Sequence, residues 1–296
     1  MRKLEVYRAF TLIEIVKLII SSLLIRIVNG FQYHNKLLPF KEYLILILNQ
    51  NYTFKRIDSD SILLKRRDNH TFFIIRPYNS DIKVFEQILI LKEYQYIIEL
   101  LSTRIQNKTQ LQIIDCGSNI GLFTYWLMSK SNNINAVCIE ANRSNFEFQK
   151  KHLNRFLNQN CEIKLLQKAI WNEDDITLTV SDKFRDGDSW SQSVSSNTNS
   201  ELSNEIVKSI QLNTLYQQYF QDKIIDVLKI DIEGAEIPVF SNIKSLDKVL
   251  RNTRVIAIEI HEELSGFQNI TNVLEKFEFR VVKIGEITFG INKIHE

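Results

Sequence analysis

Asp115-Cys116-Gly117-Ser118-Asn119-Ile120-Gly121 combines an acid with a small-residue turn, directly behind the apolar run Leu111 to Ile114. Such a run reads as a buried parallel strand that delivers Asp115 to its carboxyl end. Leu122 to Leu127, behind the turn, has the apolar density of a buried helix. In open α/β sheets, ligands bind in the crevice outside the strand ends. Only eight glycines occur in 296 residues, and Gly117 and Gly121 are two of them. A glycine in a chain this sparing with them marks a point where a side chain would collide with something.

The spacing bears on the ligand. A dinucleotide site uses G-x-G-x-x-G, so that backbone amides approach a pyrophosphate. Here the pattern is Asp-x-Gly-x-x-x-Gly, and an acid leading the turn would repel a pyrophosphate but attract a cation. Asn135 to Ile139 is a second short apolar strand that ends in Glu140. Nucleoside-binding folds carry a carboxylate for the ribose hydroxyls at about this distance, roughly 20 residues on. S-adenosylmethionine has a sulfonium, an ammonium, a ribose and no phosphate, and it suits both acids. A third strand-like run, Ile224 to Ile230, ends in Asp231-Ile232-Glu233-Gly234-Ala235-Glu236, where a helix opens.

With that segment the chain resembles the FkbM family of S-adenosylmethionine-dependent methyltransferases. The resemblance rests on the turn Asp115 to Gly121, on Glu140, on Lys229 to Glu236 and on Glu259-Ile260-His261, in that order. An upstream lead-in, Arg76-Pro77-Tyr78-Asn79-Ser80-Asp81 with Val84 to Gln87 and Glu93-Tyr94, is also similar to the family's. It spans roughly residues 72 to 292. The first turn is common to many methyltransferases, whereas the Lys229 to Glu236 segment is more particular to this family.

The resemblance implies roles. Asp115, Gly117, Ser118, Asn119 and Gly121 would line the methionine side of the cofactor pocket. Glu140, with Ala141 behind it, would take the ribose hydroxyls, and Ala169 and Ile170 would lie near the adenine. Asp231 and His261 would meet at the mouth of the cleft, with Asp231 also close to the sulfonium. His261 is the better general base, because an unperturbed imidazole titrates near neutral pH. Glu233 and Trp190 are candidates for contact with the acceptor. Glu236 stands at a helix start, where an acid suits the positive end of the dipole. Asp231, Glu233, Glu259 and His261 could in principle hold magnesium, but no metal is expected. The implied reaction is methylation, with S-adenosylhomocysteine as product, of a hydroxyl on a sugar, glycan or secondary metabolite. N-methylation, a lipid-linked glycan acceptor and a non-catalytic cofactor-binding module are the alternatives.

Positioning these residues requires alternating strands and helices. Strands are expected at 111–115, 135–140, 162–167, 225–231, 254–260, 278–284 and 286–291, and helices at 121–130, 143–157, 213–220, 234–242 and 267–276. Alternation of this kind gives a parallel sheet with helices on both faces. The last two strands are separated only around Gly285 and must form an antiparallel hairpin. The expected fold is therefore α/β, a doubly wound, mostly parallel seven-stranded sheet closed by a C-terminal antiparallel hairpin. This is the Rossmann-like class I methyltransferase arrangement. Tyr94 to Ile105 reads as a helix leading into the first strand. Residues 182–204, rich in Ser, Asn and Asp around Trp190, break the alternation between runs at 176–180 and 206–212. They read as a lid or an insertion.

Residues 1–80 form an expected accessory region ahead of a catalytic domain over 81–296. Phe10 to Val28 and Leu37 to Leu48 read as apolar helices, and 52–56, 62–66 and 71–76 as an antiparallel meander. Glu14, Lys17 and Arg26 interrupt the first helix, which argues against a membrane span. Glu14, Lys17 and Ser21 make a polar stripe on an amphipathic helix, suited to packing on the domain, to a second copy or to a membrane surface. A net charge of +2, with Lys65-Arg66-Arg67 the only tight basic run, argues against nucleic acid as a partner. Cys116, Cys138 and Cys161 lack metal-type spacing. They read as buried thiols of a cytoplasmic protein, either free in the cytosol or peripheral to a membrane.

Overall fold

The computed structural model describes residues 2–27, 37–69, 71–157, 160–181, 193–195, 205–260 and 266–296. The chain divides into two compact units, residues 1–91 and 92–296.

In the first unit a 3-10 helix over Arg2–Ala9 precedes α1 (Leu12–Ile27) and α2 (Leu37–Asn49). Strands β1 (Tyr52–Arg56), β2 (Ile62–Arg66) and β3 (Phe72–Ile75) then form an antiparallel meander. Tyr52 and Phe54 on β1, and Ile62 and Leu64 on β2, alternate inward, as a half-buried sheet requires. Helix α3 (Asp81–Phe85) and a π-helical turn over Glu86–Leu91 complete the unit. Phe85 packs edge-on against Tyr52 and Phe73 within this unit. The Arg76 to Asp81 motif is a structural clasp. Asp81 is fully buried and accepts from the Arg76 amide (2.8 Å), Nε (3.0 Å) and Nη2 (2.6 Å).

The second unit opens with α4 (Gln95–Leu100) and α5 (Ser102–Gln106), where one continuous helix was expected. Leu101 interrupts it with bridge-region angles, φ −99° and ψ 9°. Alternation follows as expected: β4 (Leu111–Cys116), α6 (Leu122–Met128), β5 (Ile134–Glu140), α7 (Arg143–Leu153) and β6 (Cys161–Gln167). After β6 come four short strands, β7 (Ala169–Ile170), β8 (Thr177–Ser181), β9 (Ser193–Ser195) and β10 (Ile206–Ile210). The chain then runs through α8 (Leu212–Tyr219), β11 (Ile225–Ile230), α9 (Glu236–Ser241), α10 (Asp247–Arg251) and β12 (Thr253–Glu259). It ends with α11 (Phe267–Lys276), β13 (Phe279–Ile284) and β14 (Ile287–Asn292).

The main sheet has seven strands in the order β13-β14-β12-β11-β4-β5-β6. Pairings from β12 through β11, β4, β5 and β6 are parallel, while β14 runs antiparallel between β12 and β13. Every residue of β4, β11 and β14 is buried. That explains why these strands read as apolar runs without alternation. The core on one face gathers Leu215, Tyr216, Phe240, Leu250, Leu274 and their neighbours from the helices against Ile114, Leu228 and Ile256. At the opposite end from the ligand crevice, buried Asp226 accepts from the Gln112 amide (2.9 Å) and pairs with Arg104 (2.6 Å) and Arg254 (3.3 Å).

One feature was not expected. The segments at 177–181 and 206–210 pair antiparallel, but they belong to a separate four-stranded sheet in the order β7-β10-β8-β9. Its small core of Ala169, Leu178, Val180 and Val207 is covered by Ala141, Trp171 and Ile176. Of the expected loop over 182–204, only β9 lies among the described residues.

Candidate functional site

Strand register brings the candidate residues together at one end of the sheet. Ile230 of β11 lies level with Cys116 of β4 and with Ile258 of β12, and Cys116 lies level with Ile139 of β5. The next residue on each strand therefore falls in a row, Glu259, Asp231, Gly117 and Glu140, along the carboxyl edge.

The β4–α6 turn is stitched to its neighbours by backbone. The amides of Gly117 and Ser118 both donate to the Ile139 carbonyl (2.9 Å each), and the Asp231 amide donates to the Cys116 carbonyl (3.1 Å). Gly117 has φ +72°, and a Cβ there would lie 1.7 Å from the Asp231 carbonyl oxygen. The collision that demands glycine is thus with the chain itself. Gly121, at φ +86°, starts α6, and a Cβ would come within 2.6 Å of Gln149 Nε2 and 2.8 Å of the Tyr125 ring. Asn119 is left-handed as well, at φ 52°, a conformation that Asn tolerates better than most residues.

Glu140 braces this turn from β5. Its Oε2 accepts from the Asn119 amide (2.7 Å) and its Oε1 from the Asn142 amide (2.8 Å). Asn142 in turn caps α7, its side chain accepting from the Asn145 amide (2.9 Å). Burial pushes the Glu140 carboxyl up to about 7, against the pull of these amide donors. A carboxylate offers about four acceptor positions, so Glu140 retains capacity for hydroxyl donors. The side-chain oxygen of Asn119 is buried and has no hydrogen-bond partner among the described residues.

Lys229 is the residue whose role the sequence did not reveal, although it lies in the quoted motif. Its ammonium, 4% exposed, stands 3.4 Å from Asp115 and 3.4 Å from Asp231. It donates to the Gly117 carbonyl at 2.9 Å. Burial alone would lower its pKa, but the carboxylates of Asp231 and Asp115 outweigh burial and hold it well above the ordinary lysine value. Asp115 is fully buried and also accepts from Thr124 Oγ1 (2.8 Å). Asp231 is 26% exposed. Two carboxylates about one ammonium leave one negative charge in excess, and Asp231 is the member that meets solvent.

A second residue emerges from the lead-in. Glu93 is half-buried, and burial first, then the charges of Glu286 and Asp231, push it up to about 7. Its neighbour Tyr94 packs edge-on against Phe123 at 4.8 Å. Burial pushes the Tyr94 phenol well above its usual value, with Lys229 opposing and Asp231, Glu259 and Asp115 adding to the rise. An acid next to an aromatic just ahead of the first helix was the available signal.

The other candidates have structural partners. Ser118 donates its hydroxyl to Gln149 Oε1 (2.9 Å), turned toward α7. Ala169 and Ile170 are buried in β7, with Ala141 packed on the same small core. Glu233 and Gly234 are both left-handed, at φ 51° and φ 92°, and this lets the chain reverse into α9. Glu236 accepts from the Ile232 amide (3.2 Å) at the start of that helix. Pro238 fits there because first-turn amides have no intrahelical partner. His261 and Trp190 lie outside the described residues. Among the described residues, no group of three or more His, Cys, Asp or Glu side chains could hold a metal ion.

An excess negative charge, an unused buried acceptor and a carboxylate with spare lone pairs fit a cationic ligand that carries hydroxyl donors. Residues 115–281 match the family profile described as the methyltransferase FkbM domain. No curated protein matches the chain. Among solved structures, an FkbM methyltransferase from Methylobacillus flagellatus KT is similar at 13% identity with a TM-score of 0.42. That alignment covers 62% of this chain and 43% of the other, so the chain spans less than half the length of that protein. The magnesium protoporphyrin IX methyltransferase of Synechocystis PCC 6803 with bound SAM aligns over 72% of this chain and 83% of its own (10% identity, TM-score 0.40). A putative O-methyltransferase from Klebsiella pneumoniae aligns over 67% and 79% (12% identity, TM-score 0.39).

Proposed function

The chain belongs to the FkbM methyltransferase family, and on that premise we propose that it moves a methyl group from S-adenosylmethionine to a hydroxyl oxygen of a sugar, glycan or secondary metabolite. The observation that carries the reading is the row of Asp231, Gly117 and Glu140 at the carboxyl edge of three adjacent strands, with Lys229 balancing only one of the two aspartates. When bound, the cofactor supplies an electrophilic methyl on a sulfonium. Glu140 would accept from the ribose hydroxyls, and Asn119 Oδ1 would accept from the amino group. Asp231 would offset the positive charge. Ala141, Ala169 and Ile170 would border the adenine.

Acceptor chemistry then needs proton removal from the attacking hydroxyl and near-attack geometry. His261, two residues after the end of β12, is the proposed base. The buried free thiols of Cys116, Cys138 and Cys161 suit a reducing, cytoplasmic setting.

The reading is tested with methyl-labelled cofactor and a panel of hydroxylated saccharides and small metabolites. Label should pass to oxygen in at least one acceptor, and His261→Ala should lower turnover by about 10²–10⁴-fold with little change in cofactor affinity. Transfer to amines alone would replace the proposal with N-methylation. Cofactor binding without transfer to any acceptor would favour a non-catalytic module.

A further inference from the structure

Three charged side chains are linked across the β4–β11 pairing, in an order that runs from the core to the cleft. Asp115 and Lys229 are level on adjacent parallel strands, so both rise from the same face of the sheet. Asp231 follows two residues after Lys229. Asp115 is fully buried, Lys229 nearly so, and Asp231 is partly exposed. The ammonium lies 3.4 Å from each carboxylate, so neither acid holds it alone. On its inner side Asp115 accepts from Thr124 Oγ1 at 2.8 Å, a hydroxyl that adds no charge. The Phe123 ring centroid is 5.9 Å from the ammonium, and Tyr94 packs edge-on against that ring at 4.8 Å.

A ligand in the cleft meets this charge at Asp231. Were Lys229 paired with Asp231 alone, the exposed end would be close to neutral. Asp115 takes an equal share of the ammonium, so one negative charge in excess remains at that end. Burial opposes the charge on Lys229, but Asp231 and Asp115 outweigh it and hold the pKa well above the ordinary value. The ammonium is therefore present throughout the neutral range. Aromatic rings beside it leave little water to screen the charges, which interact more strongly there than at an open surface. Asp115 thus acts on the cleft from a fully buried position, by way of Lys229.

The cofactor and product of the reaction proposed above differ in charge as well as in a methyl. S-adenosylmethionine carries a sulfonium, whereas S-adenosylhomocysteine carries a neutral thioether. Resting on that cofactor reading, we propose that Asp115 and Lys229 are positioning residues that set the preference of the site for the cationic cofactor over its neutral product. Sharing Lys229 between two acids keeps Asp231 uncancelled against the sulfonium. Loss of that attraction once the methyl has left favours product release.

Calorimetric titration with S-adenosylmethionine, S-adenosylhomocysteine and sinefungin tests it. Sinefungin replaces the sulfonium with a carbon bearing an amine, protonated at neutral pH, and so keeps the positive charge. The quantity read is the dissociation constant of the product divided by that of each cationic ligand. Asp231→Asn should lower both ratios by about tenfold or more, the low end of what a nearby charge does to a charged form against its neutral partner. Asp115→Asn also leaves the trio neutral and should lower both ratios by at least about threefold. Thr124→Val, which removes the hydroxyl beside Asp115 without changing charge, should leave the ratios as they are in the native chain. Asp115→Asn/Lys229→Met again carries one excess negative charge, now on Asp231 alone, and should return both ratios to the native value or above. That double variant decides the matter if Asp115→Asn alone does not fold by circular dichroism. A merely structural role for the trio would weaken all three ligands alike and leave the ratios in place. The proposal is overturned if folded Asp115→Asn keeps the native ratios, if Thr124→Val lowers them as much, or if the double variant falls to the level of Asp231→Asn. A folded native chain that binds none of the three ligands would end the cofactor reading and this proposal together. Binding of all three with ratios indifferent to these charges would overturn this proposal alone.

Discussion

Replacing Lys229 with methionine isolates what the buried ammonium contributes. The substitution keeps the length of the side chain and removes a charge that stands 3.4 Å from fully buried Asp115 and 3.4 Å from Asp231. Asp231 can turn to water, whereas among the described residues Asp115 keeps the Thr124 hydroxyl as its side-chain partner. Removing one member of a buried ion pair costs about 3–5 kcal/mol, because the other charge is left uncompensated. Losing the donor to the Gly117 carbonyl adds about 1 kcal/mol. Against a typical total stability of about 5–15 kcal/mol, Lys229→Met should shift the urea midpoint markedly while the slope stays the same. The three tryptophans, Trp126, Trp171 and Trp190, all lie in the second unit, so fluorescence reports on the unit that holds the pair. Adding Asp115→Asn removes the stranded charge and should restore at least about 2 kcal/mol, a coupling typical of residues in one network. A single variant within about 1 kcal/mol of native, or a double variant no more stable than the single, would refute the argument.

Further outcomes follow from the same geometry. Glu140 titrates near 7, and hydroxyls donating to it favour its ionised form, so cofactor binding should lower its pKa and release protons near neutral pH. Affinity, measured by calorimetry across pH, should then fall by about tenfold per unit below pH 7 until the pKa of the bound state is reached; Glu140→Gln should flatten that profile. Gly117→Ala puts a Cβ 1.7 Å from the Asp231 carbonyl oxygen at a left-handed φ. It should cost about 2 kcal/mol or more and abolish cofactor binding, as read by thermal shift and titration. Asp226→Ala, which leaves Arg104 and Arg254 without their shared carboxylate, should cost about 3–5 kcal/mol in denaturant unfolding. Its site lies at the far end of the sheet, so the affinity of the folded protein for cofactor should not change.

Most of the main sheet could be read from residue order because its strands are apolar-rich runs bounded by acids, glycines and capping residues. Leu111 to Cys116 and Ile225 to Ile230 are buried along their full length, so burial itself wrote the pattern. The division of the chain was harder to read. Phe85 packs edge-on against Tyr52 and Phe73 of the meander, a contact that residue order does not announce. Helix propensity gave no sign of the break at Leu101. The small sheet was hidden because β7 is two residues long and its partner β10 lies far along the chain. At the site, the row of acids followed from strand ends alone, but Lys229 did not. A lysine inside an apolar strand reads as an edge or rim residue until the two carboxylates beside it are known. The collision expected at Gly117 is with the Asp231 carbonyl, which residue order alone could not name.

Isothermal titration with S-adenosylmethionine tests the central claim most directly. The native protein should bind one equivalent. Glu140→Gln should bind about tenfold or more weakly, as expected on losing a charge-assisted hydrogen bond of about 1.5–3 kcal/mol. Absence of binding heat with the folded native protein, or equal affinity in the two proteins, would contradict the account.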